Sequence, residues 1–396
     1  MRLTPTSELN TRIARLQSLM QRDGLDAVLM IQNADLFYFT GSIQQGVLYV
    51  PAGGEPLYLV RKEFTRARME SGLKEILPLK SPKDLPGILA EHGLPVPKRA
   101  GMELDVVPVE TFQRFAKVFP GCEMVSATHQ IRMVRAVKSE YEIAIMKDAA
   151  LQVDKVCQRA REVIREGMTD LELAAELEYT ARREGHQGLS RMRGFNSELF
   201  YGHIFSGADS AAPAFLDAPL GGLGVNPSIG QGASYKKIKA FEPICIDFAG
   251  AFDGYLVDQT RIFCIGGLPE QLRKAYDDMV RIQNRLLEIA RPGASWGGVY
   301  DDCHRLAVEL GYADHFMGNK GAQVSFIGHG IGVEIDEYPF IARGFNDFQL
   351  EENMTFAFEP KAVFAGLGAV GIENTFRLAS DGPKHITFSD QALAVL

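Results

Sequence analysis

Four acidic residues and one histidine in the second half of the chain have the types and spacing that could do chemistry. Asp247 and Asp258 lie within residues 244–263, where two apolar segments flank an Asp-Gly turn signal at 253–254. A hairpin folded about that turn places both acids nearly opposite each other on one face. The neighbours of Asp247 are apolar, so we expect it to be buried, and buried carboxylates that repel each other need a cation as partner.

Glu359 and Glu373 repeat this arrangement further along the chain. They lie in the apolar segments 354–360 and 370–376, and reflection about Gly366 in the turn between these segments sets them opposite each other. His329 is flanked by glycines in the segment 328–332, Gly-His-Gly-Ile-Gly, which let the backbone pass close to a site. A lone histidine is more often structural, but beside four buried acids we predict that it is a metal ligand.

Oxygen ligands with one imidazole suit Mn, Co, Zn or Fe better than an ion that prefers thiolates. Two such divalent ions, about 3.5 to 4 Å apart, would neutralise the acids and hold a bridging water of lowered pKa. We therefore expect two divalent metal ions as cofactors and hydrolysis as the chemistry.

The composition excludes several classes of function. The chain has 396 residues, 46% hydrophobic and 23% charged, and a net charge of -8 without a block of basic residues, so no nucleic-acid partner is expected. It has no apolar run of membrane-spanning length, and its first thirty residues predict an amphipathic helix instead of a signal peptide. Five scattered cysteines are typical of reduced thiols. We expect a cytoplasmic protein that acts on a small peptide or amide substrate, without a membrane partner.

The first third of the chain alternates helical and strand patterns. A helix is predicted at about 8–23, and apolar strands are predicted at 27–31, 47–49, 57–59 and 101–104. The pattern changes around 131–138, where Ser139 and Glu142 form a capping box that opens a long helix. We predict an α/β amino-terminal domain over residues 1–133 and a second domain over residues 134–396.

The second domain contains an internal repeat at a shift of 126 residues. In each half a long helix ends near a glycine, a capped second helix follows and stops at another glycine, and a hairpin with two acids comes later. These landmarks are Gly167, Thr169 and Gly185 in the first half and Gly293, Ser295 and Gly311 in the second. They predict an α+β domain with an internal pseudo-two-fold repeat.

The order of these motifs resembles the M24 metallopeptidases, which are prolidase, aminopeptidase P and creatinase relatives with a pita-bread catalytic domain. The resemblance is carried by residues 258–261 (DQTR), 328–332 (GHGIG), 358–360 (FEP) and 372–375 (IENT), and in the first domain by 33–41 and 131–142. It implies that Asp247 binds one ion, that His329 and Glu359 bind the other, and that Asp258 and Glu373 bridge the two. It also implies that Glu359 shuttles a proton and that the chain forms a homodimer.

The sequence departs from the pattern of the family's proline peptidases at three helper positions. Gln231 lies about where a first histidine is expected, Asp336 replaces the histidine of a His-Glu-x-Pro tetrad, and Gly371 replaces an arginine. Glutamine can donate a hydrogen bond to an oxyanion, whereas aspartate cannot unless it is protonated. His203, upstream of the first hairpin, could compensate. The candidate catalytic residues are therefore Glu359, His203, Gln231 and Asp336.

The sequence thus predicts a dinuclear metal-dependent hydrolase of an amide (peptide) bond, resembling Xaa-Pro aminopeptidase or dipeptidase, with a metal-bridged water as nucleophile. Two alternatives remain open. One is a non-peptide amide C–N hydrolase that uses the same site, and the other is a metal-binding pseudo-enzyme that acts as an interaction module. A metal-free mechanism of the creatinase type predicts lost ligands, and none of the five is lost.

Overall fold

The computed structural model describes residues 2–396. Its residue contacts divide the chain into two units. The first runs to Arg135 and includes Arg193–Asn196, and the second consists of Ala136–Met192 and Ser197–Leu396. Among the described residues, no helix is both long and apolar enough to cross a membrane.

The first unit is built on a six-stranded mixed sheet. Its strands are β1 Ala27–Met30, β2 Gly46–Pro51, β3 Leu57–Val60, β4 Glu75–Pro78, β5 Arg99–Met102 and β6 Glu123–Ser126. The strand order is β4-β3-β2-β1-β5-β6, with antiparallel pairing of β2 to both of its neighbours and parallel pairing elsewhere. β1 and β3 are buried along their whole length, as expected for strands covered on both faces.

Six helices accompany this sheet. They are α1 Thr6–Arg22, α2 Asn33–Thr40, α3 Phe64–Glu70, α4 Leu85–Glu91, α5 Val109–Ala116 and α6 Thr128–Ala136. The amphipathic pattern correctly predicted α1, which buries Leu9, Ile13, Leu16 and Met20 at helical spacing. Within the unit the buried Asp35 of α2 accepts hydrogen bonds from Arg135 at 2.6 Å and Arg193 at 3.0 Å.

The helices of the second unit carry the repeat that the sequence predicts. They are α7 Glu140–Val163, α8 Asp170–Arg183, α9 Glu270–Ile289 and α10 Trp296–Glu309. The ends of α7 and α9, and both ends of α8 and α10, are related by the same shift of 126 residues. The predicted caps are present, because the side chains of Ser139, Thr169 and Ser295 each accept a backbone N–H. However, α7 and α9 end several residues before Gly167 and Gly293, because the backbone is already extended at Ile164 and Ala290.

The strands of the second unit form three sheets. They are β7 Gly202–Ser206, β8 Ile244–Phe252, β9 Tyr255–Cys264, β10 Phe326–Ile331, β11 Ile335–Ala342, β12 Thr355–Phe358, β13 Lys361–Phe364, β14 Gly368–Gly371, β15 Asn374–Ala379, β16 Gly382–His385 and β17 Ala394–Val395. One sheet has the order β17-β9-β8-β7, the second β11-β10-β12-β15-β16, and β13 pairs with β14 alone. Two hairpins, β8–β9 and the long one from β12 to β15, supply the four acids.

Candidate metal centre

The β8–β9 hairpin turns at the predicted position and presents both aspartates on one face. Asp253 and Gly254 have φ values of 43° and 86°, the left-handed backbone that a two-residue hairpin turn requires. In this ladder Asp247 pairs with Thr260 and Asp258 pairs with Ala249. The two acids are therefore offset by two positions along the ladder. Asp258 is buried, and Asp247 is partly buried because it faces a cavity.

The second hairpin is interrupted at its two glutamates. β12 pairs with β15 as far as Phe358 and Asn374, and β13 pairs with β14 from Lys361 and Gly371 onwards. Glu359 and Glu373 lie in the gaps between these two ladders, opposite each other as the reflection about Gly366 predicts. The ladder is interrupted here because Pro360 has no N–H to donate to it. Both carboxyl groups are buried.

His329 reaches the same place from β10. Its Nδ1 lies 3.2 Å from the carbonyl oxygen of Gly330, which fixes the ring when this nitrogen carries the proton. Nε2 then has a free lone pair, and it lies 3.8 Å from Glu359 Oε1 and 3.9 Å from Glu373 Oε1. A Cβ atom at Gly330 would lie 2.1 Å from the carbonyl oxygen of Tyr338, so only glycine lets β10 approach β11 this closely.

The ligand atoms converge closely enough for a metal ion. Those of Asp258, His329 and Glu373 all lie within 4.8 Å of one another. Glu373 Oε1 is buried and has no hydrogen-bond partner among residues 2–396, although a buried carboxylate oxygen needs one. Ligands about 2.0 to 2.2 Å from a common ion have this spacing. Together with Glu359, these residues fit one divalent ion.

The electrostatics of the cluster also call for positive charge. Burial raises the pKa of Asp247 to about 7 and that of Glu359 to about 8. Burial, together with the charges of Glu373 and Asp247, raises the pKa of Asp258 well above its usual range. Three carboxyl groups therefore lack sufficient positive charge to stabilise their ionised forms. A bound cation would supply it.

Lys361 is a member of the cluster that sequence reasoning missed. Its side chain is completely buried, and Nζ donates to Glu359 Oε2 and to Glu373 Oε2, each at 3.0 Å. Burial favours a lower pKa for Lys361, but the two glutamates outweigh it and hold the pKa well above its usual value. For Glu373 the tendency of burial to raise the pKa is likewise outweighed, by Lys361 and then His329. A lysine between apolar residues needs a partner of opposite charge. The same rule was applied to Asp247, and it could have predicted that Lys361 belongs to the cluster.

Two further side chains hold Glu373 in place. Thr260, two residues after Asp258 on β9, donates from Oγ1 to Glu373 Oε2 at 2.8 Å. Arg261 is buried and donates to the carbonyl oxygens of Thr260 and Glu373 and to the side chain of Asn374, each at 2.8 Å. The two hairpins are thus joined beside the ligands by hydrogen bonds from β9 to the segment around Glu373.

The helper candidates have different positions. His203 and Asp336 line the same cavity as the five predicted ligands, whereas Gln231 is not among the lining residues. Gln231 instead donates from Nε2 to the carbonyl oxygen of Glu198 at 3.0 Å and lies beside His203. Asp336 has a left-handed backbone with φ of 67°, and its Oδ1 lies 3.6 Å from His329 Nδ1. Gly371 faces Lys361 across the β13–β14 ladder.

The cavity has a volume of about 140 Å³. Besides the ligands and helpers, apolar residues such as Leu216, Leu220 and Phe326 line it, together with Asp217. No lysine or arginine of the described chain lines it. The site is therefore an acidic and apolar pocket in which an electrophilic group could lie next to the metal ligands.

Comparison with known proteins identifies the class. The family model of metallopeptidase family M24 matches residues 144–379, and that of the creatinase/prolidase N-terminal domain matches residues 12–137. The chain belongs to the M24 metallopeptidases. It is an enzyme, and its family implies a divalent metal cofactor. The predicted fold class, an α/β amino-terminal domain followed by an α+β pita-bread domain with an internal repeat, is confirmed.

Similar proteins extend over nearly the whole chain. The Xaa-Pro dipeptidase of Pyrococcus furiosus is 28% identical over 389 residues, covering 97% of this chain and 100% of the relative. Among solved structures, the X-Pro aminopeptidase from Thermotoga maritima is 26% identical with a TM-score of 0.78, covering 96% of this chain and 100% of that one. The prolidase from Pyrococcus horikoshii is 25% identical with a TM-score of 0.79, covering 97% and 100%.

Proposed function

We propose that this enzyme is a metal-dependent hydrolase that cleaves the peptide bond between a residue and a following proline. The observation that carries the proposal is the convergence of Asp258, His329 and Glu373 on one point beside Glu359, at the base of a cavity. The names of the relatives support the choice of substrate, because they include both Xaa-Pro dipeptidases and an X-Pro aminopeptidase.

Asp258, His329, Glu359 and Glu373 would hold a divalent ion. When bound, the ion polarises the substrate carbonyl and supplies a water of lowered pKa as the nucleophile. The resemblance to the family implies a second ion at Asp247, with Asp258 and Glu373 as bridging ligands. The contacts of Lys361 bear on that assignment and favour a single ion.

Side chains of the chain itself move the protons and position the substrate. Glu359 would take a proton from the attacking water and pass it to the leaving nitrogen, the role that the resemblance to the family implies. His203 is buried and lowered in pKa to about 4 by that burial, so it is neutral at working pH. Its Nε2 has no partner within the described chain and can donate to the oxyanion when it carries the proton.

The charge of the cavity favours an aminopeptidase over a dipeptidase. A dipeptide presents a free carboxylate immediately after its proline, and no lysine or arginine of the described residues lines the cavity to pair with it. Asp217 and Asp336 line it instead, and both can pair with the free amino group of a substrate. We infer a preference for Xaa-Pro peptides that continue beyond the proline.

A substrate panel tests this function. The purified enzyme would be loaded with Mn, Co, Zn or Fe and given Xaa-Pro dipeptides, longer Xaa-Pro peptides, matched Xaa-Ala peptides and non-peptide amides. We expect release of the first residue from the longer Xaa-Pro peptides. Glu359→Gln should lower kcat by about 100- to 10,000-fold, and Asp258→Asn serves as the ligand control. Cleavage of non-peptide amides alone would contradict the proposal and support the alternative function, a non-peptide amide C–N hydrolase. The position of Gln231 outside the cavity favours that alternative.

The assembly and the location of the chain remain predictions. The resemblance to the family predicts a homodimer, and the composition predicts the cytoplasm. Light scattering coupled to gel filtration would measure the mass in solution, and a mass of one chain would contradict the dimer.

A further inference from the structure

Lys361 occupies a position where its charge competes with a metal ion. Its Nζ atom lies between the carboxylates of Glu359 and Glu373, 3.0 Å from one oxygen of each, and no part of the side chain is exposed. An ammonium group in this position neutralises buried carboxylates as an ion would. To bind two metal ions as well as this ammonium group, the glutamates would need free oxygen atoms for both ions.

The oxygens of Glu373 divide between two environments. Oε2 accepts hydrogen bonds from Lys361 Nζ and from Thr260 Oγ1, at 3.0 and 2.8 Å. Oε1 has no partner within the described chain and lies 3.9 Å from His329 Nε2. A carboxylate that bridges two ions must offer one oxygen to each. Here only Oε1 is available, and it faces His329.

The oxygens of Glu359 divide in the same way. Oε2 accepts from Lys361, whereas Oε1 lies 3.8 Å from His329 Nε2. Both glutamates therefore direct one oxygen toward the imidazole, where the ligand atom of Asp258 also converges. They direct the other oxygen toward the lysine. The cluster has one cation position on the His329 side and one, already filled by Nζ, on the Lys361 side.

The backbone opposite Lys361 leaves room for this side chain. Gly371 pairs with Lys361 in the β13–β14 ladder. A Cβ atom on Gly371 would lie 2.7 Å from Lys361 Cδ and 2.4 Å from the carbonyl oxygen of Pro360. Glycine at 371 thus lets the lysine lie across the ladder toward the two glutamates.

From this geometry we infer that Lys361 is a built-in second cation and that the chain binds one divalent ion, coordinated by His329, Asp258, Glu359 and Glu373. Asp247 then lies beside this site and binds no metal ion of its own. The inference rests on the proposed metal site, and it departs from the two ions that the sequence predicts.

Metal content tests the inference independently of any substrate. The full-length chain would be stripped with a chelator, incubated with excess Mn²⁺, desalted and measured by plasma mass spectrometry. We expect one ion per chain for the wild type and two for Lys361→Met, which keeps a similar length and removes the charge. Lys384→Met is the matched control, since Lys384 is an exposed lysine that pairs with Asp381, and it should bind one ion.

A second readout does not depend on the variant being folded. The electron paramagnetic resonance spectrum of the Mn²⁺-loaded wild type should show the hyperfine pattern of an isolated ion, whereas two neighbouring ions would show exchange coupling. Two ions per wild-type chain, or a folded Lys361→Met protein that still binds one, would overturn the inference. A wild type that binds no ion would instead overturn the proposed metal-dependent function.

Discussion

His203 and Asp247 lie directly opposite each other in the antiparallel ladder of β7 and β8. Antiparallel partners project side chains on the same face, so the imidazole of His203 lies beside the carboxyl group of Asp247, and both line the cavity. His203 lies on β7, which a long segment with one short 3-10 helix, Gly207–Ala211, separates from β8, and the resemblance to the family did not indicate it. The ladder register explains how it reaches the cavity.

The first prediction concerns His203. Replacing it with alanine should lower kcat by about 100-fold or more, because an oxyanion donor is lost, while the metal content stays unchanged. Steady-state kinetics on a cleaved Xaa-Pro peptide and metal analysis would measure both. His92→Ala, at an exposed position in the first unit, is the control. An unchanged kcat in His203→Ala would show that the histidine is only part of the wall.

The second prediction concerns the ion pair of Lys138 and Glu337. Nζ of Lys138 lies 2.8 Å from Glu337 Oε2, both side chains are buried, and Oε1 of Glu337 accepts the N–H groups of Val333 and Glu334. Lys138→Met should lower the free energy of unfolding by about 3 to 5 kcal/mol, since it breaks a buried, hydrogen-bonded ion pair by removing one of its charges.

A double-mutant cycle would separate the pair from its surroundings. Lys138→Met combined with Glu337→Gln should be less destabilised than the sum of the two single variants, because the second change removes the carboxylate charge that the lysine paired with. Urea unfolding of all four proteins provides the measurement. Strictly additive effects would contradict a coupling between the two residues.

The third prediction concerns Arg261, which joins the two hairpins. Arg261→Met removes donors from several buried acceptors, including the carbonyl oxygens of Glu373 and Ser389. Since each unsatisfied buried acceptor costs about 1 to 3 kcal/mol, the loss of stability should exceed about 3 kcal/mol. Arg159→Met is the control, because Arg159 forms exposed ion pairs whose loss costs less than about 1 kcal/mol. Equal unfolding midpoints of the two variants would contradict the role given to Arg261.

The fourth prediction concerns the pH dependence of stability. His186 is buried, Nδ1 accepts the N–H of Gly188 and Nε2 lies 3.0 Å from the carbonyl oxygen of Ala249, and burial lowers its pKa from 6.5 to about 4. Between these two values the unfolded chain binds a proton that the folded chain does not, so stability falls as the pH falls from about 6.5 to about 4. The contribution is about 3 kcal/mol at most.

Unfolding of His186→Asn at several pH values tests this contribution. The variant should lose less stability than the wild type over the same pH interval, whereas His92→Asn, at an exposed position, should follow the wild type. A variant with the same pH slope as the wild type would show that protonation of His186 is not linked to unfolding.

Local signals predicted much of the second unit. The capping residues Ser139, Thr169 and Ser295 and the turn at Asp253-Gly254 act within a few residues of themselves, so they can be recognised in the sequence alone. The shift of 126 residues followed from the same local signals. These features were sufficient to predict the two hairpins and the close approach of the four acids.

Other features depend on contacts that are distant in sequence. The gap at Glu359 could have been expected from Pro360, but which strands pair on either side of it is decided by the whole sheet. In the first unit the edge strands β4 and β6 were missed, because they are short and only partly buried and show no clear alternation. Gln231 matched a family position in sequence order, yet its side chain lies outside the cavity.

Gly371 restricts the substitutions by which this site could change. The carbonyl oxygen of Pro360 would lie 2.4 Å from any Cβ atom at this position, so the present hairpin accepts no larger residue there. The same Cβ atom would lie 2.7 Å from Lys361 Cδ, so the present lysine at 361 and an arginine at 371 cannot both be accommodated in this hairpin. Passing from one to the other by single substitutions would go through an intermediate with either a steric clash or uncompensated acids, which makes the two positions epistatic.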